Sequence, residues 1–163
     1  MTSPSTALIQ SLANLGVEVI FSLSGNQIMP LYDACIDANV RIIHTRHEGA
    51  AVYMAEAYAQ ITGKMGVALV TAGPGLLNAV SALYSAAQSE TPLLLISGDS
   101  ASHLDGRGAF QELDQISITS PITPKPQNPV AGILINDLSR FVIVSIVVLK
   151  PSTLSAQLCF QTS

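Results

Sequence analysis

Charge is scarce in this chain. Asp, Glu, Lys and Arg make up only 11% of its 163 residues, and the seven basic ones form no cluster, leaving a net charge of -4. Nucleic-acid phosphates require Lys and Arg gathered on one face, so this balance argues against a nucleic-acid partner, and it gives acidic substrates no global steering. Tryptophan is absent and aromatic residues are few. The two cysteines, Cys35 and Cys159, lie far apart in unlike contexts; no disulfide framework or metal spacing can be read from them, and a reducing, cytoplasmic setting fits best. The start Met1-Thr2-Ser3-Pro4 lacks the basic opening of a secretory signal. The longest apolar run, Phe141 to Leu149, is interrupted by Ser145 and falls well short of the ~20 residues a membrane-spanning helix needs. What is abundant is apolar surface: 48% of the residues are hydrophobic. A chain of this length can bury one substantial core, and so much apolar surface is expected to need a partner as well.

The chain alternates apolar strands with amphipathic helices. Ser5 can cap a helix through Leu8, Ile9, Leu12 and Leu15 that stops at Gly16, and Val17 to Phe21 reads as a strand. After the turn Ser22 to Asn26, a helix entered through Pro30 carries Ile28, Leu31, Tyr32 and Cys35. Val40 to His44 is a second strand, and a helix from Glu48 to Ile61 follows. It is so rich in Ala and Gly that it is expected to be nearly buried. Met65 to Thr71 is a third strand; Ala72-Gly73-Pro74-Gly75 turns into a helix through Leu76, Val80, Leu83 and Ala87; Leu93 to Ser97 is a fourth strand. This pattern predicts an α/β fold, a doubly wound parallel sheet with helices on both faces. A short helical turn is expected from Ala109 to Ile116. Beyond it Pro121, Pro124, Pro126 and Pro129 fit neither helix nor central strand, and Val130 to Ile135 and Phe141 to Leu149 read as β-branched strands. The division is therefore a domain over 1–121 and a divergent, proline-rich linker with an apolar, irregular tail over 122–163.

Within that frame Glu48 stands just past the end of a strand expected to be buried and in the first turn of a helix, where open parallel sheets bind ligands. The positive end of the helix dipole favours its ionised form and burial against Ala50, Ala51 and Val52 favours the neutral one, so a hydrogen-bonding partner would decide. A glutamate there that merely complements the dipole is the plainer alternative.

Three motifs then converge: Arg46-His47-Glu48-Gly49-Ala50-Ala51, Thr71-Ala72-Gly73-Pro74-Gly75 with Asn78, and Gly108-Ala109-Phe110-Gln111-Glu112. In this order and spacing they resemble the N-terminal pyrimidine-binding domain of thiamine-diphosphate enzymes. The resemblance is to the acetolactate synthase branch, which also includes glyoxylate carboligase, benzoylformate decarboxylase and 2-hydroxyacyl-CoA lyase. It implies that Glu48 hydrogen-bonds the ring nitrogen of the cofactor's aminopyrimidine and so primes it to take the proton from the thiazolium carbon. It also implies that Gly25 keeps the mouth of the site open, that the loop Gly73-Pro74-Gly75 lies near the pyrimidine ring and the subunit interface, that Asn78 helps to bind the cofactor, and that Phe110 and Gln111 reach the substrate side of the active site from the partner subunit. Thiamine diphosphate is the cofactor so implied, with magnesium held only through a partner diphosphate domain on another chain or a second subunit of a homo-oligomer.

The resemblance covers Ser5 to about Pro121 and does not extend into the central and diphosphate-binding domains of the family. Three functions fit: a half-site of a 2-oxo acid carboligase or decarboxylase, a catalytically silent dimerising fragment, or an unrelated nucleotide-binding α/β module. Weaker patterns add little. His44 and His47 have no third ligand near in sequence for zinc. Gly98-Asp99-Ser100 with Asn128 only approximates a magnesium-diphosphate motif, because Ser100 stands in place of its last glycine and Asn128 lies among prolines.

Overall fold

The computed structural model describes residues 3–123 and the backbone of 141–147. Four parallel strands, β1 (Val19–Ser22), β2 (Arg41–His44), β3 (Gly66–Val70) and β4 (Leu93–Gly98), lie in the order β2-β1-β3-β4. A fifth, β5 (Phe141–Val147), pairs antiparallel with β4, Leu93 opposite Val147 and Gly98 opposite Phe141. The helices are α1 (Pro4–Asn14), α2 (Met29–Asp37), α3 (Glu48–Thr62), α4 (Pro74–Gln88) and α5 (Gln115–Thr119). This is the doubly wound α/β arrangement expected, with an antiparallel strand added at one edge. The proline run from Pro124, Asn128 and the strand expected over Val130 to Ile135 lie outside the described residues.

Successive strand residues point to opposite faces, and the core divides accordingly. Ile20, Val67, Leu69, Leu94 and Ile96 pack with α1 and α2 through Ile9, Leu12, Leu31 and Cys35. Val19, Phe21, Ala68, Val70, Leu93 and Leu95 pack with α3 and α4 through Ala51, Val52, Leu76 and Leu83. Both faces of β3 and β4 are covered, which is why those strands read as unbroken apolar runs. Each fully buried Leu or Ile in these layers contributes about 1.5–3 kcal/mol of burial free energy.

Several boundaries differ from the reading of the sequence. Ser3, not Ser5, caps α1: its hydroxyl accepts from the Thr6 N–H at 3.1 Å, and Pro4 takes the first helical position, where its missing N–H costs nothing. The strand before Glu48 is an edge strand, so Arg41 and His44 are exposed and Ile42 and Ile43 only half-buried. Helix α3 is buried along one side only. Its opposite side exposes Tyr53, Met54 and Ile61, because the sheet and α4 pack against the side that carries Ala51, Val52, Ala55 and Ala59. The short helix expected at Ala109 to Ile116 begins later, at Gln115, where the Asp114 side chain accepts from the Ser117 N–H at 3.1 Å.

The small residues of α3 have a clear structural use. A Cβ on Gly66, at the start of β3, would overlap the Ala55 carbonyl group, whose carbon would lie 2.7 Å away. Helix and strand backbones are in contact there. Farther along, the buried Glu56 carboxylate accepts from the Ser89 hydroxyl at 2.6 Å and the Gln60 amide at 3.3 Å, tying the second half of α3 to the exit of α4. Since Glu48 is also buried and α4 contains no charged residue, the outer surface of this helix pair presents Tyr53, Met54, Leu77 and Tyr84 without a single exposed charge from either helix.

Candidate functional site

Glu48 is the first residue of α3. The chain leaves β2 extended, His47 turns it into the helix, and the His47 Nδ1 accepts from the Gly49 N–H at 3.0 Å, satisfying one of the open donors at the helix start. The Glu48 side chain is 8% exposed. Its Oε2 accepts from the Asn78 Nδ2 at 3.0 Å, across from α4. Its Oε1 has no hydrogen-bond partner among the described residues, and a Cβ built on Gly75 would stand 3.5 Å from it. That is ordinary contact; what glycine at 75 makes room for is the Thr71 Cγ2, which the same Cβ would meet at 2.7 Å, while Asn78 holds the carboxyl in place.

A second cluster lies at the ends of β1, β3 and β4. The Thr71 hydroxyl donates to the Gln27 Oε1 at 2.6 Å, and the Gln27 Nε2 donates to the Gln111 Oε1 at 2.7 Å. Each member of this relay rests on a glycine. A Cβ on Gly25 would meet the Thr71 Oγ1 at 2.5 Å, one on Gly98 the Gln27 Cβ at 2.7 Å, and one on Gly73 the Gln111 carbonyl oxygen at 2.7 Å. Such distances leave no room for a side chain at any of the three. Below the relay, the Ser97 hydroxyl donates to the Gln115 Oε1 at 2.6 Å and the Gln115 Nε2 donates to the Gly98 carbonyl at 2.9 Å, which pins α5 to the end of β4.

The segment that carries Phe110 and Gln111 is a closed loop. The Glu112 carboxylate accepts the Gly106 N–H on one oxygen and the Ala109 N–H on the other, the latter at 2.9 Å. These backbone donors hold its carboxyl below the usual carboxylate range. Gln111 sits at φ 64°, a left-handed conformation that costs a residue with a side chain roughly 1–2 kcal/mol. Glu112, closing the loop from within, and the seat of the Gln111 backbone on Gly73 hold that conformation. Phe110 beside it is 79% exposed. Asp99, at the exit of β4, is held above the usual carboxylate range by burial, against the opposing hydrogen bond from the Ser100 N–H at 2.8 Å.

The structure thus brings Glu48 and Asn78 together directly, and Gly25, Gly73 and Gln111 together around Thr71 and Gln27. Pro74 opens α4 at its exposed first position. A side chain on Gly25 would strike Thr71 inside the protein, which is a reason for glycine that needs no ligand. Reading the sequence missed Gln27, an isolated amide after a turn glycine that no spacing rule marks. It also assigned no role to Thr71 and Glu112, although these lie inside the quoted motifs. His47 serves as a helix cap, and the His44 ring packs against Tyr32 with centroids 5.5 Å apart. Among the described residues no group of three His, Cys, Asp or Glu side chains is placed to hold a metal ion.

A doubly wound sheet with a buried glutamate at a strand-to-helix turn, one oxygen held and the other free, places the domain in the open-sheet α/β class. The chain belongs to the thiamine pyrophosphate enzyme family: residues 3–118 match the model of its N-terminal TPP binding domain. It is 47% identical over 116 residues to 2-hydroxyacyl-CoA lyase 2 of Danio rerio, covering 71% of this chain and 19% of that protein. It is 46% identical over 107 residues to the Homo sapiens 2-hydroxyacyl-CoA lyase 2, covering 66% and 17%. With the acetolactate synthase large subunit of Lactococcus lactis it shares 44% over 123 residues, covering 75% and 21%. The chain spans about a fifth of the length of these relatives. Membership of this family sets aside the unrelated nucleotide-binding module. No helix among the described residues is long and apolar enough to cross a membrane.

Proposed function

We propose that this chain binds the aminopyrimidine half of thiamine diphosphate, with Glu48 as the residue that shares a proton with the ring nitrogen. The observation that carries the reading is the Glu48 carboxyl itself: buried at the start of α3, fixed by Asn78 on one oxygen, and open on the other beside Gly75. A planar ring presenting a nitrogen can meet that oxygen without displacing any hydrogen bond of the protein. Asn78 keeps the carboxyl from rotating away, so its proton is held at one atom. Gly73 and Pro74 shape the turn beside it, Gly25 lines the mouth, and Phe110 and Gln111 stand on the side from which a substrate would approach. Bound thiamine diphosphate supplies the electron sink for making or breaking a bond next to the carbonyl of a 2-oxo acid.

The diphosphate and its magnesium would be held by a diphosphate-domain partner, either another chain or a second subunit. The uncharged outer face of α3 and α4 supports that requirement, since a surface of Tyr53, Met54, Leu77 and Tyr84 with no exposed charge from its two helices suits burial against protein. Acetolactate synthase-like carboligation or decarboxylation would follow only in that assembly.

Calorimetric titration of the chain with thiamine diphosphate and magnesium, alone and with the diphosphate-domain chain of a relative, tests the proposal. Binding is expected with the partner and is expected to fall at least tenfold in Glu48→Gln, whose fold is preserved. Equal affinity in that variant would reject the role of Glu48, and no binding in either run would favour the silent fragment.

A further inference from the structure

We propose that Gln27 is a positioning residue that sets the direction of the Gln111 amide, so that Gln111 offers N–H donors rather than its carbonyl oxygen to a ligand. The inference rests on the half-site reading above and extends it to the substrate side. A glutamine amide has a donor end and an acceptor end, whereas a hydroxyl can serve as either. In the relay the Thr71 hydroxyl gives its proton to the Gln27 Oε1, which commits the Gln27 Nε2 to donate to the Gln111 Oε1. The acceptor end of Gln111 is thereby used inside the protein. Its Nε2, with two protons, has no acceptor among the described residues. What such a group recognises is an oxygen acceptor, the carbonyl or carboxylate of a small acid, and it disfavours an ammonium group, which can only donate.

The packing shows that the relay is built in. Thr71, Gln27 and Gln111 each press on a glycine, Gly25, Gly98 and Gly73 respectively, so the fold gives up three side chains to let the relay close. The backbone of Gln111 is held independently, by its seat on Gly73 and by Glu112 closing the loop from within. Gln27 therefore has little to do with where Gln111 is. Its effect is on which end of the amide faces outward.

The test uses the full chain labelled with nitrogen-15 and reads hydrogen exchange of the side-chain amides, with no cofactor present. In the unmodified protein a Gln27 side-chain proton is expected to exchange about fivefold to tenfold more slowly than those of Gln111, the protection of one net hydrogen bond. Gln27→Glu keeps the length of the side chain and can still accept from Thr71 but has no proton to give. Gln111 then turns around, donates to the new carboxylate, and gains the protection itself. Gln27→Met fills the same space against Gly98 and leaves Gln111 exchanging as a free amide. Gln111 exchange that is the same in all three proteins would overturn the proposal. Should the Gln27 variants fail to fold, Gln111→Glu is expected to preserve the protection of the Gln27 amide and Gln111→Met to abolish it; loss in both, or in neither, would overturn it equally.

Pyruvate at millimolar concentration serves as the probe of the donor end. It is expected to shift the Gln111 side-chain amide signals in the unmodified chain and not in Gln27→Glu, and equal shifts, or none in either protein, would overturn the assignment to a ligand. Thiamine diphosphate titrated into the same sample reports separately through the signals of Asn78 and of the Glu48 backbone. Their silence would remove the cofactor reading while the direction of the amide relay stood or fell on its own exchange data.

Discussion

Gly66→Ala is the substitution that most directly links the packing of this domain to its site. The added methyl would overlap the Ala55 carbonyl of α3, with the carbonyl carbon at 2.7 Å and the Ala55 Cα at 3.3 Å. Both are backbone atoms, so no rotamer change can relieve the clash, and the helix must move off the sheet. Overpacking of a core typically costs 1–3 kcal/mol, and with backbone on both sides about 3 kcal/mol is expected here. For a domain of this size that corresponds to a fall in Tm of roughly 10 °C. Gly63→Ala is the control. Gly63 closes α3 at φ 70° with open space around the missing Cβ, so alanine there meets no atom and pays only the left-handed backbone cost, roughly 1–2 kcal/mol. Urea denaturation of the three proteins, with the slope of the transition checked for constancy, gives the comparison. Because α3 begins at Glu48, lifting its middle should also lengthen the 3.0 Å contact with Asn78 and loosen that pair in the surviving folded protein. A loss for Gly66→Ala no larger than for Gly63→Ala would refute the argument that helix and strand backbones touch at this point.

Other consequences can be measured on the same protein. Asn78→Leu removes the one side-chain donor to Glu48 among the described residues; it should weaken thiamine diphosphate binding in the reconstituted complex severalfold while changing stability by about 1 kcal/mol, a net hydrogen bond, and unchanged affinity in calorimetry would show that Asn78 does not position the carboxyl. The Glu112 carboxyl is held below its unfolded value by backbone donors, so closure of its loop is complete above that unfolded value, near pH 4.3, and is lost as pH falls through the lowered one. Amide exchange at Gly106 and Ala109 should accelerate in that acid window after correction for intrinsic rates, and Glu112→Gln should flatten the change. Burial raises the Cys35 thiol to about 11. The folded state thus keeps its proton where the unfolded chain has lost it, and stability should decline as pH climbs from the unfolded value of about 9 towards 11; a Cys35→Ala variant should show a smaller decline in denaturant titrations, since burial raises the Tyr32 hydroxyl as well and leaves its share in place.

Most elements could be read from the sequence because glycine and proline bound each apolar run. Glu48 could be placed because a strand of β-branched residues and an alanine-rich helix meet around it. What could not be read depends on contacts between distant residues. Gln27 bonds to Thr71 and Gln111, 44 and 84 positions away, and an amide after a turn glycine has no local pattern to mark such partners. The half-exposed state of β2 follows from its place at the sheet edge, which the apolar character of Ile42 and Ile43 conceals. Ala109 and Phe110 read as helical by composition, yet Gly108 at φ 72° and Gln111 at φ 64° break any helix there, and only the Asp114 cap restarts one. The alanines of α3 suggested burial all round, but Ala and Gly record how closely a helix approaches its neighbours and carry no information on how many neighbours it has.

The position of the site follows from the winding of the sheet. Helix α2 carries the chain from β1 outward to β2 on one face; α3 then returns it past β1 to β3 on the other. At the junction of β1 and β3 the chain therefore leaves the two strand ends towards opposite faces, and this divergence is where open sheets leave a crevice. The fold fills its floor with polar contacts: the Ser22 hydroxyl donates to the Leu69 carbonyl at 2.7 Å across the two strands, and Gly25 lets Thr71 close against the first turn. Glu48 arrives from the far edge of the sheet, yet the same return of α3 carries its carboxyl to Gly75 and Asn78 at the start of α4. A glutamate at the end of β4 would have no returning helix to bring it there. The residue that carries the proposed chemistry thus has to follow β2, the strand after which the winding turns back.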